Sequence, residues 1–568
     1  MNRKDLKTQS IFQLIFSVAI VLLLGYISSF VYTGIDLTQE KRYTLSPVSR
    51  EVLEKLPGTV FIKVYLDGDM PIGFKRLASS VKEMIDEFRV YAGRNIEYEF
   101  IDPAENKDFK ARGTIFKDLY KKGLQPTNVE VKDEKGGSTR KMLVPGALIS
   151  YNGIDLPLNL LNNNPGISAE ENLNNSIQSL EYSFINMLRN ICNTKIEKIA
   201  FLEGHGELDQ YQLNDIIKEL SNYYQVDIGA INANIHSLDH YKVVLIAKPE
   251  QRFSEEDKFV LDQYIMNGGK VIWLIDEVKA SLDSLSNGET VAFIQNLNLD
   301  DQLFKYGVRI NPDLVQDIEC ALIPVNMSAS GTTPKFSPAP WYYYPLINPS
   351  GLNPITRNVN LVKMEFPSVI DTVGDLPAIR KTILMSTSVM SKVVKVPVMI
   401  SLNDVKKKIS KEEFNKPFQT VAILLEGKFE SLFKNRNPNS FKLKGDVHFL
   451  QISKETKMIV VSDGDVIRNN VRNTAQGIMI SPLGLDRYSN QTFGNKEFIL
   501  NAVNYLTDES GIMNLRNREI RLRLLDKNKI QNEKLKWQLI NTLLPMIFIA
   551  LFGLSINLVR KRRYSRVV

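Results

Sequence analysis

Histidine, cysteine and tryptophan are scarce in this chain: 4, 2 and 3 among 568 residues. No C-x-x-C pair occurs, which excludes dithiol redox chemistry. Cys192 and Cys320 read either as small buried residues or, in an oxidising compartment, as a pair. His236 and His240 have the spacing of one helix face. The intervening Ser237, Leu238 and Asp239 lead straight into a strand and no third ligand is evident, so a solvated turn is expected there and no metal site. The phosphate-cradling loop G-x-x-x-x-G-K-[ST] is also missing, because Gly269-Lys270 is followed by Val271 and lacks the upstream glycine. Any nucleotide chemistry must come from a partner, and the chain itself is expected to need no cofactor.

Charge of one sign is missing as well, once its position is considered. Arg3, Lys4 and Lys7 against Asp5 at one end, and Arg560, Lys561, Arg562, Arg563 and Arg566 at the other, account for the whole formal charge of +7. The long middle is neutral on balance, which argues against a nucleic-acid footprint.

Two apolar runs explain the basic ends. Ile11 to Tyr32 carries no charge and is long enough to span a bilayer, which takes roughly 20 residues. It is too long for a signal-peptide core and no A-x-A site follows, so it reads as an uncleaved anchor. Ile540 to Val559 is the second run, with Pro545 near its start and Trp537 just before it at interface depth. Basic tails place both termini in the cytoplasm and the middle outside it. The stretch from Arg516 to Lys536, also basic, reads as a juxtamembrane connector able to touch lipid headgroups or a membrane partner.

The expected organisation is α/β. Residues 1–10 form a cytoplasmic tail, 11–32 a membrane helix, and 33–165 a thioredoxin-like layer domain. In that domain the strand Val60 to Leu66, a helix from about Phe74 to Tyr91 and the strand Ile96 to Ile101 follow one another, with Leu77, Val81, Ile85 and Phe88 on one helix face. A long helix from Ala169 to Cys192 opens the next part. Residues 166–279 and 443–510 form a Rossmann-like, glutamine-amidotransferase-like domain of alternating strands and helices. Residues 280–442 read as a mixed insertion, 511–538 as the connector, 539–559 as the second membrane helix and 560–568 as a cytoplasmic basic tail.

Three places carry residue types suited to binding. The strand Lys198 to Leu202 runs into Gly204-His205-Gly206, so His205 and Glu207 stand at the carboxyl edge of the sheet, where open α/β folds bind ligands. Asp463 and Asp465 flank Gly464 after the strand Lys457 to Val461 and share that edge; the sequence also suits a turn with a left-handed glycine. His205 lacks a nucleophile, since neither a G-x-S-x-G elbow nor an equivalent cysteine occurs, so no catalytic residue is assigned. The third place is Trp341, Tyr342, Tyr343 and Tyr344 in SPAPWYYYP, either a recognition loop for a glycan or protein or a loop packed on its own domain.

Several stretches resemble one family: Asp36 to Pro47, the FLEGHGEL of Phe201 to Leu208, the NPITRN of Asn353 to Asn358, Ser481 to Leu506, and the RLRLLDK of Arg521 to Lys527. Together they are similar to the membrane-anchored auxiliary, or substrate-binding, component of the gliding-motility ABC transporter, the GldG type. The resemblance implies a non-enzymatic bacterial inner-membrane protein with a large periplasmic part, working with a separate permease and a separate ATPase. The alternative is a cell-envelope receptor that binds glycan or protein independently of a transporter.

Overall fold

The computed structural model describes residues 44–517 apart from 106–107, 133–137, 163–166, 194–195, 286–287, 327, 329–334, 375, 407–409, 438–440 and 476, together with parts of 12–26 and the stretch 527–564. The exit segment up to residue 43, most of the turn Glu134 to Ser138, the break at 163–166, the connector over 518–526 and the tail from 565 lie outside the described residues. Residues 1–518 form one compact unit and 519–568 a second.

The first sheet pairs β1 (Val60–Val64) in parallel with β2 (Ile96–Phe100), and β1 antiparallel with β3 (Gly146–Tyr151), which pairs antiparallel with β4 (Ile154–Asn159). The order across it is β2-β1-β3-β4. Helix α1 (Pro47–Glu54) starts where Ser46 accepts the Ser49 N–H and Pro47 fixes φ for the first turn. Helix α2 (Ile72–Ala92) buries Leu77, Val81, Ile85 and Phe88 on the face their spacing predicts. Helix α3 (Phe109–Lys121) and the hairpin Thr127–Lys132/Ser138–Leu143 follow.

The stretch 169–192 is two helices. Ser179 ends α4 (Ala169–Gln178) and opens α5 (Leu180–Cys192). Although the sequence grouped them with the second sheet, α4 contacts α2, and α5 contacts both β3 and β4. Phe184, Ile185 and Leu188 are fully buried, and one apolar cluster runs from the first sheet through α5 to one face of the second sheet.

The second sheet has seven strands: β5 (Lys198–Glu203), β6 (Gln225–Ala230), β7 (Val243–Ala247), β8 (Lys270–Leu274), β9 (Ile379–Ser386), β10 (Thr420–Gly427) and β11 (Thr456–Val461), ordered β9-β10-β11-β8-β7-β5-β6. From β6 to β11 every pairing is parallel, and β10 and β9 add an antiparallel margin. Strand β7 is buried throughout, as expected for a parallel strand covered on both faces. Residues 280–442 are therefore not wholly an insertion, because β9 and β10 within them complete this sheet; hydrophobic alternation does not show which sheet a strand joins. Helix α6 (Asn214–Leu220) is shorter than the stretch Tyr211 to Tyr223 that reads as helical in the sequence. Helix α7 (Glu255–Met266) is capped by Ser254, which accepts the Asp257 N–H. Helix α8 (Asp300–Lys305) and, after β11, helix α9 (Asn495–Thr507) complete the layer set that matters for the site.

In the second unit, α10 (Lys527–Tyr564) includes Pro545 and contains Glu533–Val559, within which an 18-residue stretch has a mean hydropathy of 2.2. Among the described residues it is the one helix long and apolar enough to cross a membrane. Of the N-terminal run, only the shorter apolar helix Leu14–Leu23 falls among them.

Because α5 is shared by both sheets' core, Phe184→Ala is expected to lower the stability of the whole unit by about 3–5 kcal/mol. Near-ultraviolet circular dichroism and tryptophan fluorescence in a urea titration should report one coincident, shifted transition.

Candidate functional site

The carboxyl edge of the second sheet receives a charged residue from each of several strands. Strand β7 ends at Ala247 and is followed by Lys248, which is buried and adopts φ of 55°. Strand β8 leads to Asp276, and β11 to Asp463, Gly464 and Asp465. Lys248 Nζ lies 2.5 Å from Asp465 Oδ2 and 3.2 Å from Asp276 Oδ2. The Gly464 N–H donates to Asp276 Oδ1 at 2.5 Å. Arg468 Nε sits 2.7 Å from Asp465 Oδ1, and its Nη2 donates to Glu365 Oε2 at 3.0 Å. Lys363 bonds Glu365 Oε1 at 3.0 Å and lies over the Tyr344 ring.

Asp463 accepts from the backbone N–H groups of Glu365 and Asp465, both at 2.7 Å. Three cations thus face four carboxyl groups. Burial, with Asp465 and Asp276 beside it, raises the Asp463 carboxyl well above the usual carboxylate range. With Asp463 protonated the cluster is balanced, as a buried network must be. Burial works against Lys248 too, but Asp276 and Asp465 outweigh it and raise its ammonium above the ordinary value. For Asp465 burial outweighs Arg468 and Lys248, leaving the carboxyl at about 6. Glu365 goes the other way: burial is overcome by Lys363 and Arg468, which bring it down to about 2.

Gly464 is not left-handed, since its φ is −78°. It is needed for closeness: a Cβ there would lie 2.5 Å from Lys248 Cβ and 2.8 Å from Lys248 Cα. The turn reading held the right residue for another reason.

His205 belongs to a separate cluster on the same edge. Its ring is buried and stacks on Phe253 with centroids 3.7 Å apart. Nδ1 is 3.2 Å from Glu207 Oε1 and Nε2 is 3.2 Å from Asp257 Oδ2. Glu207 Oε2 also accepts the His205 backbone N–H at 2.6 Å, and Asp257 Oδ1 accepts the Ala233 N–H at 3.0 Å. Burial disfavours the charged ring, but the bonds to Asp257 and Glu207 prevail and raise its pKa to about 9. Both ring nitrogens are occupied, so the imidazole is a fastener between the β5 turn and α7, with no lone pair offered to a substrate.

The loop Lys248–Gln251 separates the two clusters. The Glu250 and Gln251 N–H groups donate to the His205 carbonyl, and a Cβ on Gly206, at φ 76°, would meet Gln251 and Glu250. The expected edge of His205, Glu207, Asp463 and Asp465 is therefore two internally satisfied clusters, and the four side chains do not converge. Sequence reasoning missed Lys248, Glu365, Lys363 and Arg468. For Lys248 the available signal was a charged residue within two positions of the end of each of the apolar strands β7, β8 and β11. Glu277, next to Asp276, lines a cleft of about 350 Å³, where burial and the nearby Asp300 raise its carboxyl to about 8.

The aromatic run is corrected more sharply. Trp341, Tyr343 and Tyr344 are 1%, 4% and 2% exposed within the strand Phe336–Ile347. Trp341 packs with Tyr343, Tyr344 with Phe366, and the half-buried Tyr342 with Phe414. The rings fill a core, and a loop open to a glycan is not present at these residues. Prolines in that strand hid its character, because Pro338 and Pro340 pair with Pro324 and Leu322 along an irregular ladder. His236 makes an exposed pair with Asp239, and Cys192 and Cys320 are free thiols. Among the described residues no group of three or more metal-ligating side chains occurs.

Residues 197–502, spanning the second sheet and its edge clusters, match the family described as "ABC-type uncharacterized transport system". The chain belongs to this family. Membership in the ABC-type transport-system family makes it a transport-associated component. Residues 39–150, which hold β1, β2 and nearly all of β3 of the first sheet, match a domain of unknown function, DUF7088. An uncharacterized protein of Borreliella burgdorferi is 22% identical over 98% of this chain and 99% of its own length. Among solved structures, the mmIFT52 N-terminal domain aligns at 13% identity with a TM-score of 0.30, over 55% of this chain and 97% of that one. A catalytic mutant of Gan42B, a GH42 beta-galactosidase from G. stearothermophilus, aligns at 8% identity and a TM-score of 0.21, over 72% of this chain and 49% of that one.

Two outcomes follow from the edge geometry. Lys248→Met strands two buried carboxylates and should cost about 3–5 kcal/mol; Gly464→Ala should be comparably damaging, both read as a lowered thermal midpoint. The His205 contribution has a defined pH window. Its folded pKa of about 9 lies above the ordinary 6.5, so the stabilisation is complete below about pH 6.5 and lost as pH rises through 9. It amounts to at most about 3 kcal/mol. Urea midpoints of the parent chain should fall between pH 7 and 9.5, whereas His205→Gln should start lower, fall less, and stay nearly flat above about pH 8, where Glu277 has titrated.

Proposed function

We propose that this chain is a non-enzymatic, membrane-anchored component of an ABC-type assembly, its large unit on the periplasmic side of a bacterial inner membrane, working with a separate permease and ATPase. The observation that carries this reading is the family match over residues 197–502 in a chain that also holds a membrane-length apolar helix, Glu533–Val559. The basic cluster Arg560 to Arg563 at the end of that helix favours a cytoplasmic C-terminus. The closed carboxyl edge supports a role without catalysis, since His205, Glu207, Asp463 and Asp465 are all engaged within the protein. The resemblance to the GldG type is the basis for placing the assembly in gliding motility.

We infer that coupling would enter the large unit at its C-terminal end, residues 508–517. Asp508 accepts the Ser510, Gly511 and Met513 N–H groups and pairs with Arg189 of α5. Arg516 donates through Nη1 to Asn501 of α9 at 3.1 Å and through Nη2 to the Arg357 carbonyl at 2.5 Å, with its guanidinium over Tyr182. Residues 511–517, expected to belong to the connector, are thereby clamped to both sheets' helices as part of the large unit. Movement of α10 in the membrane would reach the ectodomain through this clamp.

Full-length protein purified under mild conditions from its native membrane should co-elute with a permease and an ATPase. Elution alone, with motility or transport retained after the ATPase is removed, would overturn the assembly reading. Arg516→Ala is expected to leave co-elution intact while reducing function, measured as transport or motility.

A further inference from the structure

A second feature of the large unit is independent of the transporter reading. Between α5, the end of α6, the 357–358 turn and α9 lies a cleft of about 210 Å³. Its walls are amides and hydroxyls, including Ser183, Asn186, Asn358 and Asn504, with Tyr223 and Leu500 as the main apolar surface. Two of the stretches that mark the family resemblance, NPITRN and the α9 sequence NKEFILNAVNYL, meet here, because Arg357, Asn358, Glu497, Asn501 and Asn504 all line it.

We propose that this cleft binds one neutral saccharide unit. The first reason is preorganised donors. The Tyr224 hydroxyl donates to Asn504 Oδ1 at 2.7 Å, and Arg189 donates to Asn186 Oδ1 at 3.2 Å. Each amide is thus held by its oxygen and leaves its NH₂ for the cleft that it lines.

The second reason is charge. Arg357 and Arg516 are matched on the cleft wall by Glu219 and Glu497, so no net field calls for an ion. The Arg516 fork is also spent, since both its Nη atoms bond within the protein, and Arg357 Nη1 donates to the Asn517 carbonyl at 3.1 Å. Bidentate capture of phosphate or carboxylate by Arg516 is therefore not offered. Donor amides interleaved with acceptor carboxylates instead suit a ring of hydroxyls, each both donor and acceptor. The volume lies below the roughly 300–1,000 Å³ of sites for drug-sized ligands, which limits the occupant to a single ring or the end of a chain.

Arg516 of the clamp described above also lines the cleft, so a sugar seated there would stiffen residues 508–517. Full-length protein in lipid nanodiscs, free of sugar-headed detergent, tests this by saturation-transfer NMR with N,N′-diacetylchitobiose and maltose as neutral probes and inorganic phosphate as the anion probe. Saturable binding of at least one disaccharide, with Kd on the order of 1 mM, is expected. Asn504→Asp and Asn186→Asp keep the held oxygen but remove the donor, and each should weaken binding by about tenfold with thermal midpoints unchanged. If one variant fails to fold, the other decides. Hydrogen exchange over 508–517 should slow when sugar is bound. Absence of saturable disaccharide binding, binding indifferent to both substitutions, or preferential binding of phosphate would overturn the proposal. Co-elution with a permease is untouched by any of these results.

Discussion

The burial of Lys248 between Asp276 and Asp465 is the constraint on which the edge of the second sheet depends. It joins the ends of three neighbouring parallel strands, β7, β8 and β11, although β11 comes from far downstream in the chain. Gly464 is held against Lys248 without room for a Cβ, so the backbone of one strand end rests on the side chain of another. Replacing the ammonium would leave carboxylates with no solvent to turn to. Arg468, Glu365 and Lys363 extend the same charge balance into the layer above the sheet, where Lys363 meets the Tyr344 ring.

This constraint also bears on function. Open parallel sheets usually keep the carboxyl edge free for ligands. Here that edge is occupied by the protein's own ion pairs on one side and by the His205 fastener on the other, with the loop Lys248–Gln251 between them. The polar cleft among α5, α6 and α9 lies elsewhere, and it adjoins the residues that lead to the C-terminal helix. The large unit thus combines a sealed sheet edge with a polar cleft elsewhere on its surface.

Much of the first sheet was legible. The spacing of Leu77, Val81, Ile85 and Phe88 specified one face of α2, and those four side chains are buried. The Ser254 cap and the downstream strand β11 were also readable, since both follow local rules of capping and apolar continuity. Less visible was the grouping of segments. The α4–α5 pair was assigned to the sheet that follows it in sequence but packs on the one that precedes it, because an amphipathic helix records that it has a partner and not which partner. The aromatic run left two readings open for a related reason. Four adjacent rings beside prolines look exposed in one dimension, yet a twelve-residue strand turns three of them into a core.

By itself, the sequence determined that the chain alternates strands and helices, that a membrane-length apolar helix lies near its end, and that a phosphate loop and a dithiol are missing. These are properties of composition and short-range periodicity, which need no knowledge of distant contacts. Only the tertiary structure decided that His205 and Asp463 serve separate clusters, that Lys248 neutralises two carboxylates, and that the 357–358 turn and α9 line one cleft. Each of those depends on side chains separated by tens to hundreds of residues being brought within hydrogen-bond reach, and the energy of a buried charge is set by the neighbours that folding supplies.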